Sequence, residues 1–199
     1  MSAAAVDTTR GSAAPVVATD TRQRLIDAAI ALFIRNSFAG TSLQMIADEL
    51  NLTKAAIYYH FRTREQLLIA LMQPMLREIG QVVESAQRRR GARARAEAML
   101  SGYADIVARN RSLTAVTVFD PSVSSVLRNQ PEWAALIERQ LALLAAVGSA
   151  ASGGINAAVV MTGLAGAAST ANPQLADDAL RDELADVGRR ILELPVAKH

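Results

Sequence analysis

The chain has 199 residues, of which 51% are hydrophobic, 20% charged and only 4% aromatic, so a core must be filled mainly by Ala, Leu, Val and Ile. With no cysteine and only His60 and His199, the sequence excludes disulfides, thiolate metal sites and a cysteine nucleophile, leaves no ordinary zinc site, and suits a reducing cytoplasm. The net charge of +2 is too small for a nonspecific nucleic-acid binder, and it is unevenly spread: 7 Lys/Arg to 6 Asp/Glu over residues 1–72, 7 to 4 over 73–110 and 7 to 9 over 111–199.

Residues 1–19 are Ala, Thr, Ser, Gly, Val and Pro with little to anchor them, and they read as a flexible tail. Asp7, Arg10 and Asp20 interrupt any continuous apolar stretch, so the tail is not a signal peptide, and Arg10 is better read as a solvated charge than as a minor-groove arm. Asp20, with Gln23 three residues on, predicts a first helix to about residue 36, with Leu25, Ala28, Ala29, Leu32 and Phe33 inward. Phe38 then plugs the small core, and Gly40 breaks the chain.

The stretch 41–64 reads as a helix-turn-helix. Thr41 as N-cap with Gln44 three residues later predicts a helix over about 42–50, its Leu43, Ile46, Ala47 and Leu50 turned inward. Asn51 and Leu52 form a tight turn in which Asn51 tolerates positive φ. Thr53 caps a second short helix that buries Ile57 and Phe61 and displays Lys54, Ala55, Tyr58 and Tyr59 on the other side. That display suits a DNA major groove, which a helix-turn-helix enters with the N-terminal end of its second helix. A Tyr-Tyr-His run taken alone is equally compatible with a core.

Thr63, with Gln66, caps a fourth helix carrying Leu67, Leu68, Leu71, Met75 and Ile79 on one side. Pro74 inside it predicts a kink or restart between residues 72 and 75, readable either as a signal-carrying joint or as a simple break. The five arginines between Arg88 and Arg95 mark a solvated connection, and a helix follows to about residue 110 with Ala96, Met99, Leu100, Tyr103, Ile106 and Val107 along one face. Residues 113–119 are β-branched but have no partner strand, so they too are expected to be helical. Asp120-Pro121 opens a short helix that fades at Asn129, and Pro131-Glu132 opens another to about residue 147. After a small-residue loop, 155–170 is an almost uncharged helix too short and too polar to span a membrane, and 175–194 forms the last helix. The two C-terminal helices offer more apolar surface than a monomer needs and are expected to pair across a two-fold axis through Val159, Gly163, Leu180, Leu184, Val187 and Ile191, although the last stripe alone is also satisfiable internally.

Thr41-Ser42, Ile46-Ala47, Leu52-Thr53-Lys54-Ala55-Ala56-Ile57-Tyr58-Tyr59-His60-Phe61 and Thr63-Arg64-Glu65-Gln66-Leu67-Leu68 resemble the TetR family of bacterial repressors. The resemblance covers residues 21–72. It implies that the Thr41 hydroxyl and the Arg64 position, commonly Lys, hold phosphates, while Thr53, Lys54, Ala55, Ala56, Tyr58, Tyr59 and His60 meet bases or backbone, with Ser42 beside them. Ala55 and Asn51 depart from the family, which commonly has Gly at both places; the first adds a methyl at the DNA surface and alters base preference there.

These readings combine into an all-α protein: a tail at 1–19, a three-helix DNA-binding head at 20–66 and a helical effector-binding and dimerisation domain at 67–199. The expected function is a cytoplasmic homodimeric repressor that binds a palindromic double-stranded DNA operator and is released by a small lipophilic molecule; the alternative is a DNA binder without an effector. Met72, Met75, Met99, Tyr103, Phe119, Trp133 and Ile137 are the candidate effector-pocket wall, each of them also readable as plain core, with Tyr103 and Gln140 as polar contacts. No cofactor, metal, membrane partner or enzymatic activity is expected.

Overall fold

The computed structural model describes residues 16–195, with side chains from Thr21 onward, and it is all-α, ten helices with no strand among those residues. Residues 1–15 of the expected 1–19 tail, with Arg10, the side chain of Asp20 and His199 lie outside the described set, while residues 16–19 are helical and not a tail. Helix α1 (Val16–Asn36) starts four residues before the expected residue 20. Leu25, Ala29, Leu32 and Phe33 are buried along it as their spacing predicts, and Phe38 closes over them, its ring edge-on to Phe33 at 5.2 Å.

The entry to α2 (Leu43–Glu49) corrects the sequence reading by one residue: the N-cap is Ser42, whose Oγ accepts the Met45 amide at 3.2 Å, not Thr41. Thr41 is 1% exposed, and its hydroxyl lies 2.8 Å from the Ser37 carbonyl and 3.2 Å from that of Leu32. The physical reason is the end of α1, where Ser37 turns left-handed (φ 64°) and leaves terminal carbonyls without helical donors. Gln44 correspondingly reaches Asp48 rather than closing a capping box. At the far end of α2, Asn51 has φ 54°, and the amides of Leu52 and Asn51 bond to Ala47 and Asp48 in a Schellman motif. Thr53 caps α3 (Lys54–His60) through the Ala56 amide, as expected.

Thr63 likewise caps α4 (Arg64–Gln87), and Gln66 reaches back to the Arg62 amide at 3.0 Å. Of the expected kink or restart at Pro74, the restart does not occur: α4 runs through it as one helix. Pro74 lies on the exposed side, while buried Leu71, Met72 and Met75 hold the chain on either side. Helix α5 (Ala92–Arg109) is the centre of the body and packs against α4, α8 and α10. Two glycines permit close crossings on α5. A Cβ on Gly102 would stand 2.5 Å from Val82 of α4, and one on Gly188 would stand 2.3 Å from Leu100 of α5.

Helix α6 (Arg111–Phe119) is helical despite its β-branched content, and Asp120 caps α7 (Pro121–Arg128) with Pro121 in its first turn. Helix α8 (Pro131–Ala145) and α6 both pack on α9 (Gly153–Thr170), and α10 (Asp177–Ile191) lies along α5. No described helix is long and apolar enough to cross a membrane.

Candidate nucleic-acid interface

Ile57 is fully buried and Phe61 nearly so, which fixes the rotation of α3 and turns its opposite face outward. On that face Tyr59 is 86% exposed and Tyr58 43%, with Lys54, Ala55 and His60 exposed beside them. The aromatic run is therefore a surface and not part of the core. Lys54 Nζ sits 5.6 Å from the Tyr58 ring centroid, a cation–π contact that holds the ammonium near the phenol, and Tyr59 stands edge-on to His60 at 5.3 Å. Thr53 and Ser42 are exposed hydroxyls already engaged as caps, and Ala56 is half-buried.

Thr41 and Arg64 have internal roles. Arg64 Nη1 donates to the carbonyls of Ala39 at 2.7 Å, Phe38 at 3.2 Å and Thr41 at 3.4 Å, its Nε meets Glu65 at 3.1 Å, and its guanidinium lies 4.8 Å over the Phe38 ring. Both residues thus brace the loop between α1 and α2. The other end of this brace carries no signal in the sequence: the Phe38 amide donates to Asp120 Oδ2 of the body at 2.6 Å, while Asp120 Oδ1 accepts the Ser122 amide and hydroxyl. The Asp120-Pro121 cap is legible there, but its reach across 82 residues is not.

Burial pushes the Asp120 carboxyl upward, but hydrogen bonds from the Ser122 hydroxyl and from the Phe38, Ser122 and Val123 amides outweigh it and hold the group below the ordinary aspartate range. A depressed folded-state value stabilises fully above the unfolded-state pKa of about 4 and loses that contribution as pH falls through the lower folded value. Asp120→Ala is expected to cost about 1–2 kcal/mol at neutral pH from the lost cap and the orphaned amide. Denaturant titrations of both proteins check this, and the gap closes as the pH drops below about 4.

The seven candidate effector residues do not line one cavity. Met72 and Trp133 flank a cleft of about 320 Å3 between α4, α7 and α8, together with Ile69, Leu76 and Leu127. Its polar lining is Gln73, Gln130 and Glu132. Met75 belongs to a groove between α1, α4 and the α5–α6 junction, Met99 is core, and Tyr103 is buried, its hydroxyl donating to the Met161 carbonyl at 3.0 Å; burial pushes that phenol's pKa upward. Ile137 is half-buried outside the cleft, and Phe119, 61% exposed at the end of α6, walls nothing. Gln140 is buried, with its side-chain oxygen unpartnered.

The candidate dimer residues also divide. Val159, Gly163 and Val187 are exposed and Ile191 partly so, but Leu180 and Leu184 are buried in the protomer itself, because α10 lies close against α5 at Gly188. The exposed face of α9, with Ile155, Ala158, Val159, Thr162, Gly163 and Ala167, carries no charge.

Residues 25–71 match the N-terminal family model described as bacterial regulatory proteins, tetR family. The chain is similar to the probable acrEF/envCD operon repressor of Escherichia coli strain K12, at 48% identity over 61 residues, which cover 30% of this chain and 28% of that protein. The similarity to that curated relative thus spans under a third of its length. In overall structure the chain resembles the ketosteroid transcriptional regulator KstR2 of Mycobacterium tuberculosis, with a TM-score of 0.69 and 12% identity over 87% of this chain and 93% of that one. A TetR-family regulator from Streptomyces coelicolor A3 resembles it equally, with a TM-score of 0.69 and 16% identity over 84% and 89% of the two chains.

Proposed function

From the premise that this chain belongs to the TetR family of bacterial regulatory proteins, we propose that it is a non-enzymatic, sequence-specific DNA-binding repressor working in the cytoplasm as a homodimer. The observation that carries this reading is the outward face of α3, where Lys54, Tyr58 and Tyr59 stand opposite buried Ile57 within the family-matched segment. Residues 20–66 form the DNA-binding head, and 67–199 the effector-binding and dimerisation body. In this reading Ser42, Lys54, Tyr58, Tyr59 and His60 meet the operator. Thr41 and Arg64 act from behind by fixing the loop that carries α2. Footprinting of a bound fragment tests it: the expected pattern is two-fold symmetric, with half-sites about 34–36 Å apart, or at an altered distance if the DNA is distorted.

Dimerisation through the uncharged face of α9 supplies that symmetry. A Cβ added to Gly163 would meet nothing within 4 Å, so the protomer itself gives no packing reason for glycine there, whereas a close helix partner does. Val159→Asp is expected to raise the dimer dissociation constant about tenfold or more, since a charge enters a desolvated contact, with helicity unchanged. Sedimentation velocity at micromolar concentration checks it, and a wild-type monomer there removes the dimer.

Release by a small molecule is assigned to the cleft between α4, α7 and α8, because α4 begins at the head and forms one wall of that cleft. A DNA binder without an effector is the competing reading. A broad ligand panel that leaves the operator complex untouched would favour it.

A further inference from the structure

We propose that the turn between α4 and α5 is a second, sequence-indifferent contact for duplex DNA, at the end of α4 away from the recognition helix. Arg88, Arg89, Arg90, Arg93 and Arg95 are all exposed there. Arg139 of α8 donates to Gln87 at 2.9 Å, which sets a further guanidinium beside the turn. No ion pair engages any of these arginines among the described residues. Arg95 Nε donates to the Arg89 carbonyl at 3.0 Å, which folds the turn on itself and keeps the charges together. The exposed carboxylates nearest in the chain are Glu84, one turn back on α4, and Glu138, next to Arg139, whereas Glu97 is taken by Arg189 at 2.7 Å. Arg190 and Glu193 at the end of α10 add one charge of each sign. Helix α5 starts at Gly91 with no side-chain cap and no acid in its first turn, so the helix start supplies no counter-charge.

Like charges held this close repel one another, and a polyanion relieves the repulsion. The remaining side chains of the turn select which polyanion. Apart from arginine, residues 88–95 are Gly91, Ala92 and Ala94, with no aromatic and no large apolar group. A protein interface is anchored by buried aromatic or aliphatic side chains, a membrane surface by an apolar face, and a single strand by rings on which its bases stack. A duplex needs none of these, because its backbone presents closely spaced phosphates to guanidinium forks. The 24 residues of α4 put the turn about 36 Å from Arg64 at the head, away from any duplex held against α3. The duplex taken here is therefore a second one, and the protein links two.

Beads carrying one duplex of arbitrary sequence, with a second, fluorescent duplex in solution, test the proposal at a stated salt concentration. The full-length protein is expected to carry the fluorescent duplex onto the beads. Arg88→Gln, Arg89→Gln, Arg90→Gln and Arg93→Gln together should cut that capture about tenfold or more, as expected for the loss of several phosphate contacts. Arg95 is kept because it closes the turn, and circular dichroism should show unchanged helicity. Capture at the wild-type level by the fourfold variant would mean that the heads alone link duplexes, and it overturns the proposal. So does a wild-type protein that captures nothing; the reading of α3 rests on operator binding and survives both results. Poly-L-glutamate that competes as well as duplex, charge for charge, would overturn the assignment to DNA in favour of an acidic protein.

Discussion

Replacing Phe38 with alanine is expected to destabilise the head by about 3–5 kcal/mol, the usual cost of emptying a buried aromatic site. Three further losses accompany the cavity. The Phe33 ring loses its edge-on partner, the Arg64 guanidinium loses the face it lies over, and the loop that places Thr41 beneath α2 loses its plug. The backbone contacts at Phe38, its amide to Asp120 and its carbonyl to Arg64, remain possible in alanine but no longer have a fixed frame. A marginally stable domain holds only about 5–15 kcal/mol in all, so this one change removes a large part of it. Chemical denaturation followed by circular dichroism measures the loss, and a change under about 1 kcal/mol would mean that the head does not depend on this plug. Because Asp120 is on the body, the expected loss also loosens the seam between head and body.

The second large effect is on DNA. Lys54→Ala combined with Tyr59→Ala is expected to lower operator affinity about 30- to 100-fold, at about 1–1.4 kcal/mol for each charge-assisted or hydroxyl hydrogen bond lost. Stability should hardly move, because both side chains are exposed and neither carries the core. If Lys54 meets a phosphate, its removal also lowers the slope of log affinity against log salt by about one. Anisotropy titrations at several stated salt concentrations separate these outcomes. A double variant with wild-type affinity and an unchanged salt slope would remove α3 from the interface.

Local chemistry explains what the sequence made legible. Ile57 and Phe61 lie four residues apart between a threonine cap and a short turn, and that spacing alone determines which side of α3 is displayed. Asn51 was readable because few residues tolerate its backbone angle, and Asp120-Pro121 because a cap followed by proline has one meaning. What escaped the sequence depends on partners distant in the chain. Thr41 and Ser42 are both hydroxyl residues, and only the left-handed turn at Ser37 decides which is swallowed and which caps. Arg64 is a free cation on paper, yet three carbonyls of a loop more than twenty residues upstream claim it. Periodicity placed Met99 and Tyr103 on an inward face but could not distinguish core from cavity, and it could not tell that Phe119 ends exposed. Leu180 and Leu184 lie on a real apolar stripe that α5 already covers, through a glycine contact no single-chain pattern announces.

The central claim is that α3 reads a specific DNA site. Fluorescence anisotropy of the full chain against fragments tiled across the DNA flanking its own gene, at fixed near-physiological salt with unrelated competitor, tests it most directly. The expected result is saturable binding to one palindromic fragment that withstands competitor and is weakened about 30- to 100-fold by Lys54→Ala with Tyr59→Ala. Binding that is weak and indifferent to sequence across every fragment, and unaltered by that double change, would contradict the account.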